Sequence, residues 1–151
     1  MMKKNYKDLH EFISHLEMEG QLLRIKDPVS NILEITEITD RMSKMPGGGK
    51  ALFFEKVKGY NFPVITNQFG SIRRINMALG SSSLDELAGR LHSIINMKPP
   101  VTLMDKIKLL PELLSMSRFL PRVRKGVAPC QEVILTGDEV DLTKLPVLFC
   151  W

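Results

Sequence analysis

Five stretches of this 151-residue sequence hold residue types that could do chemistry. The first is Pro46-Gly47-Gly48-Gly49-Lys50. A glycine-rich loop binds phosphate when it follows a strand and opens a helix, so that backbone N–H groups face the anion. Here the glycines follow a helical pattern and precede a strand, so a helix stop and loop is expected. The second is Thr66 to Arg74, T-N-Q-F-G-S-I-R-R, which has the better order of strand, turn and helix. Arg73 and Arg74 could clamp a phosphate or carboxylate. The preferred reading is that Ser71 caps the helix and both arginines are solvated.

The third set is His10, His15 and His92. His10 and His15 are five apart, on different faces of one helix, so no metal pair is expected. The fourth is Cys130, beside Pro129 and a few residues past Arg124 and Lys125. A nucleophilic thiol needs a base and a cause for a lowered pKa; a half-buried structural thiol is the better expectation. The fifth is Asp138, Glu139 and Asp141 in T-G-D-E-V-D-L. Paired carboxylates can do acid–base work, but after a strand and a glycine they read as a turn bonded to local backbone. No catalytic constellation is complete.

The elements that must position these groups follow from periodicity. Asp8 to Glu11 has capping-box spacing. Leu9, Phe12, Ile13 and Leu16 form one helical face, ended by Gly20. Gln21 to Ile25 reads as a strand. Asn31 to Glu34 offers a second capping box, before a helix faced by Ile35, Ile38, Met42 and Met45. Lys50–Val57 and Phe62–Asn67 read as paired strands joined by a turn at Gly59 to Asn61. A short helix carries Ile72, Ile75 and Leu79, stopped by Gly80. Ser83 to Glu86 is a third capping box, and Leu84, Leu87, Ala88, Leu91, Ile94 and Ile95 make the clearest amphipathic helix. Past Pro99-Pro100, Leu103, Ile107 and Leu110 are again helical, Pro111 suits the start of a further helix, and Pro121 closes the region. Cys130 to Thr136 reads as a strand, and Leu145 to Trp151 as a final apolar strand.

Hydrophobic residues make up 44% and charged residues 25% of the chain, an ordinary globular balance. Net charge is +4, and Arg118, Arg122, Arg124 and Lys125 alone equal that excess. A nucleic-acid binder is therefore not expected; the basic run reads as a solvated connector. Two cysteines are too few for a disulfide scaffold. Met1 to Asp8 shows no apolar signal core, and no apolar run approaches the roughly 18 residues of a membrane span. A cytoplasmic setting is expected.

Four blocks in order carry a resemblance: D-L-H-E-F-I-S-H-L-E-M-E-G-Q-L-L-R-I from Asp8, L-E-I-T-E-I-T-D-R from Leu33, A-L-F-F-E-K-V-K-G-Y-N-F-P-V-I-T-N-Q-F-G-S from Ala51, and A-P-C-Q-E-V-I-L-T-G-D-E-V-D-L-T-K-L-P-V-L-F-C-W from Ala128. The chain resembles the N-terminal portion of the UbiD-type carboxy-lyases, whose type member is 3-octaprenyl-4-hydroxybenzoate decarboxylase. The likeness runs from about Tyr6 to Trp151. Lys50 stands where the family often has proline, and Phe149 where it often has a small hydroxyl residue.

The resemblance implies an α/β (α+β) class. An N-terminal α/β sandwich over residues 1–100 would be followed by a helical, basic connector over 101–128. Residues 129–151 would then begin a truncated, β-barrel-like prenylated-FMN domain. It implies non-oxidative decarboxylation of aromatic or unsaturated acids with prenylated FMN, manganese and a monovalent cation, the cofactor carrying the hard chemistry. The family's catalytic, cofactor and metal residues lie beyond Trp151, so none is assigned here, and neither cofactor nor metal is expected on this chain alone. An alternative is a non-catalytic small subunit or assembly module that completes a separate catalytic subunit. The apolar end is expected to pair with a second copy, fold back on the domain or stay disordered, because leaving Val147, Leu148, Phe149 and Trp151 in water forfeits on the order of 6–12 kcal/mol. Self-association into a homo-oligomer is expected.

Overall fold

The computed structural model describes residues 6–96, 104, 107, 110, 111, 114, 123 and 125–150. Helix α1 spans Leu9–Met18. Asp8 caps it as expected, its carboxylate accepting the Glu11 N–H at 2.9 Å. Gly20 follows at a φ of 65°, which a residue without Cβ takes without penalty. Strand β1 (Leu22–Ile25), helix α2 (Glu34–Ser43) and strand β2 (Ala51–Phe54) form a parallel β-α-β unit with Leu22 opposite Ala51. Strand β3 (Val64–Thr66) then pairs antiparallel with β2 through the expected turn. The sheet order is β1-β2-β3.

Period-two alternation along β2 divides the core between the two faces of the sheet. Ala51 joins Leu22 and the α1 residues Phe12, Ile13 and Leu16, with Phe53, Ile65, Met77 and Ala78 packed against them. Leu52 and Phe54 join Val29, Val57 and the α2 residue Ile35, with Ile38, Met42 and Leu148 packed against them. Helices on both sides of the sheet make the expected α/β sandwich.

Helix α3 spans Ile72–Leu79 and α4 spans Leu84–Ile95. Ser71 caps α3 and Gly80 ends it in the left-handed conformation, as the sequence suggests. The face of α3 differs from expectation. Ile72 and Leu79 are exposed, and the residues turned inward are Arg74, Met77 and Ala78. Met45 is likewise not on the α2 face; it lies past the helix end and is half exposed. The α2 cap is also corrected. Leu33, not Asn31, is the cap residue, and no side chain caps α2.

Residues Met1–Ala88 and Asp141–Trp151 form one compact unit, and Gly89–Val140 another. In the second, Met104, Ile107, Leu110, Pro111 and Leu114 are helical. Leu103, Pro121 and the basic residues Arg118, Arg122 and Arg124 lie outside the described residues. The expected strand from Cys130 to Thr136 does not form. A 3-10 turn at Pro129–Gln131 is followed by irregular, exposed chain. No described strand lies beside it, and an unpaired strand leaves its N–H and C=O groups without partners.

The apolar end folds back on its own unit, one of the three expected outcomes. Phe149 makes a parallel bridge with Ile32, through Phe149 N–H to Asn31 O at 3.0 Å and Leu33 N–H to Phe149 O at 3.1 Å. Leu148 enters the α2-side core. Trp151 lies outside the described residues.

Phe54 is fully buried, so Phe54→Ala is expected to cost about 3–5 kcal/mol in a denaturant titration. Glu17 offers a pH test. Arg24 lies over the Phe53 ring and holds the Glu17 carboxylate through Nε at 2.7 Å, and this bond draws the Glu17 pKa below its ordinary 4.5. With the folded value below the unfolded one, the pair's contribution is complete above about pH 4.5 and is lost as pH falls through the folded value. Glu17→Gln should therefore lower the neutral side of a stability-against-pH curve, flatten its acid limb, and meet the parent curve below the folded value.

Candidate functional site

The two glycine segments singled out in the sequence meet in space. The 3-10 turn Pro46–Gly48 connects α2 to β2, and the turn at Gly70 connects β3 to α3. A Cβ on Gly48 would lie 1.7 Å from the Gly70 carbonyl oxygen, and one on Gly49 would lie 2.0 Å from that of Met42. Backbone fills the space a side chain would take. These glycines serve close packing and positive φ, and the phosphate-loop order is absent, as expected.

Two side chains hold the loops together. Arg74 leaves the first turn of α3 and is fully buried. Its Nη1 donates to Gly49 O at 2.6 Å and to Gln21 Oε1 at 3.4 Å, and its Nη2 donates to Gly48 O at 3.2 Å. Asn67, at a φ of 52°, donates through Nδ2 to Gly48 O and Lys50 O, both at 2.8 Å. Arg74 is thus no solvated arginine, and this corrects the sequence reading. Its acceptors are neutral oxygens, its Nε is buried without a partner, and burial lowers its pKa from the ordinary value. A guanidinium keeps its proton even so. Arg73 matches expectation better: it is exposed and pairs with Glu19 at 2.7 Å.

Above this clamp lies an open groove of about 630 Å³, lined by Gln21, Gly47, Phe69, Gly70, Ser71, Ile72, Arg73 and Ile75. It combines an apolar wall with one cation and a helix start whose cap, Ser71 Oγ, accepts the Arg74 N–H at 3.2 Å. The groove can seat an apolar edge beside an anion. It contains no nucleophile with an adjacent base.

The remaining candidates do not gather at this groove. His15 bonds the Tyr6 hydroxyl at 2.5 Å and lies 3.8 Å from Glu19, while His10 and His92 are exposed on α1 and α4. Cys130 is free and exposed, not half-buried as expected, and Cys150 is free and exposed too. Asp138 and Glu139 sit in a 3-10 turn. Asp141 accepts the Thr143 N–H at 2.9 Å and its hydroxyl at 2.6 Å, and these bonds lower its pKa. The acidic knot is a backbone-bonded turn, as read from the sequence. Among the described residues no three His, Cys, Asp or Glu side chains converge to hold a metal ion. No helix among them is long and apolar enough to cross a membrane.

The clamp was missed because a doubled arginine at a helix start reads as surface. The usable signal was spacing: Arg74 precedes Met77 and Ala78 by three and four residues, and so shares their inward face. Two glycines separate local strain from packing. Gly47, at a φ of 72°, has open space for a Cβ, so Gly47→Ala should cost only about 1 kcal/mol of backbone strain. Gly48→Ala adds the clash with Gly70 O and should cost clearly more, about 3 kcal/mol or above, in the same denaturant titration.

Comparisons with known proteins agree with this architecture. The family model of the 3-octaprenyl-4-hydroxybenzoate carboxy-lyase N-terminal domain matches residues 13–91. A protein of Aquifex aeolicus (strain VF5) is 51% identical over 150 residues, 99% of this chain and 30% of its own length. The closed form of vanillic acid decarboxylase from Sedimentibacter hydroxybenzoicus superposes with a TM-score of 0.60 at 30% identity, over 89% of this chain and 25% of that chain. An evolved dimeric form of the UbiD-class enzyme HmfF from Pelotomaculum thermopropionicum, in complex with prFMN, is 28% identical over 61% of this chain and 20% of that one, with a TM-score of 0.48. The chain thus spans about a third or less of the proteins it matches. It belongs to the UbiD family of carboxy-lyases, whose N-terminal domain it carries.

Proposed function

We propose that this chain is the N-terminal portion of a UbiD-type non-oxidative decarboxylase acting on a 4-hydroxybenzoate-type, polyprenyl aromatic acid in quinone biosynthesis. It is inactive alone, with its catalytic, prenylated-FMN and manganese-binding residues outside these 151 residues. The observation that carries this reading is the likeness to vanillic acid decarboxylase, which extends over 89% of this chain and only 25% of the decarboxylase chain. On this reading metal and flavin would be held by residues of the remainder of the polypeptide. Residues 1–100 are then the N-terminal α/β domain, 101–128 the connector and 129–151 the start of the cofactor domain, although Asp141–Trp151 packs with the first unit in this chain. The two free cysteines suit a reducing cytoplasm. Val147 and Phe149 stay more than half exposed at 59% and 53%, which supports self-association of the isolated chain.

A second reading is an assembly module that completes a separate catalytic chain. The first unit has its own caps and two core clusters, as a free-standing module requires. The purified chain, given prenylated FMN, manganese and 4-hydroxybenzoate, should show neither turnover nor stoichiometric flavin binding; either result would sink the proposal. Fused to the remainder of the Sedimentibacter hydroxybenzoicus vanillic acid decarboxylase chain in place of its matching residues, it should restore decarboxylation of vanillic acid. Restoration by the two pieces as separate chains would favour the module.

A further inference from the structure

The start of α2 is in conflict with its own sequence. Asn31-Ile32-Leu33-Glu34 has the residues of a capping box, which would begin the helix at Ile32 with the Asn31 side chain over the Glu34 N–H. The structure instead places Leu33 at φ 63° and ψ −37°. Glu34 N–H bonds Ile32 O at 2.8 Å, across a single residue. That is a γ-turn of the rare, strained hand, centred on a leucine. Strain of this kind persists only where the surroundings over-determine it.

What over-determines it is the tail. Phe149 O accepts the Leu33 N–H at 3.1 Å, and Phe149 N–H bonds Asn31 O at 3.0 Å. The Asn31 side chain, buried at 5% exposure, donates to Val147 O at 2.7 Å and so is turned away from the helix it would cap. The Thr36 hydroxyl adds a contact to Phe149 O at 3.4 Å. One half of the capping box is kept one residue early: the Glu34 carboxylate reaches back to the Ser30 N–H at 2.5 Å.

We propose that Asn31–Glu34 is a two-state latch set by the tail. With Val147–Phe149 docked, Leu33 is held in the γ-turn and α2 begins at Glu34. With the tail released, Leu33 turns helical, Asn31 rotates onto the Glu34 N–H, and α2 gains its first two residues. Asn31 has a partner in each state. Ser30, which accepts the Ile32 N–H through Oγ at 3.0 Å, and a 3.4 Å contact of Asn31 with the Tyr60 hydroxyl add to the docked state, and the tail's bonds tip the choice. Whether the chain around Phe149 is docked is thereby reported at the helix that covers one face of the sheet.

The test uses the 151-residue chain in solution NMR. Phe149→Pro removes the N–H that bonds Asn31 O. Ile32 and Leu33 should then move to helical backbone shifts and couplings, with the β1–β2 resonances unchanged. A Leu33 that keeps its positive-φ signature in a folded Phe149→Pro chain overturns the latch. Leu33→Gly tests it from the other side, and also decides the matter should Phe149→Pro unfold. Glycine relieves the turn and disfavours the longer helix, so hydrogen exchange at the Phe149 amide should slow about tenfold. Unchanged or faster exchange there overturns the proposal.

Discussion

A buried guanidinium with no acidic partner joins the main elements of the first unit. Arg74 reaches from α3 to the carbonyls of Gly48 and Gly49 and to the Gln21 side chain. It therefore ties α3 to the loop that starts β2 and to the residue that leads into β1. Desolvating a charge is costly, and two hydrogen bonds to backbone oxygens with a third to the Gln21 carboxamide are the compensation this site supplies. Those bonds require both glycine carbonyls to be held in place. That in turn requires Gly48 and Gly70 to touch without side chains between them. The glycines, the arginine and the Asn67 carboxamide are parts of one joint.

The sheet built on that joint is small, and its stability comes from two-sided cover. Ala51 and Leu52 are neighbours in sequence, yet they belong to different core clusters. Helix α1 closes one face and α2 the other, so neither face of β2 is left to solvent. The tail adds to the α2 side through Leu148. The unit is thus discontinuous in sequence, its last piece arriving after an excursion through Gly89–Val140.

Much of this was legible in the residues. Asp8, Ser71 and Gly80 were read as caps and stops because each acts on backbone groups within a few positions. The β2–β3 pair was read because its turn is local too. The inward face of α3 was misread, because Ile72 and Leu79 are more apolar than Arg74 and only the carbonyls of a distant loop make arginine the better core residue. Asn31 was misread as a cap because its alternative partner, Val147 O, lies 116 residues away. The candidate groove was visible only as two separate glycine motifs, since nothing in either one announces the other.

The sequence by itself determined the α/β class, the order of elements, the family and the local character of the acidic turn. These depend on periodicity, short-range hydrogen bonding and the linear order of motifs. Tertiary structure alone decided that Arg74 is a buried clamp, that α2 starts at Glu34 and that the apolar end returns to its own domain. It also decided that Cys130 to Thr136 is no strand. Each of these outcomes turns on whether a backbone N–H or C=O finds a partner far away in the chain, and desolvation makes that partner decisive while leaving no mark in the local pattern.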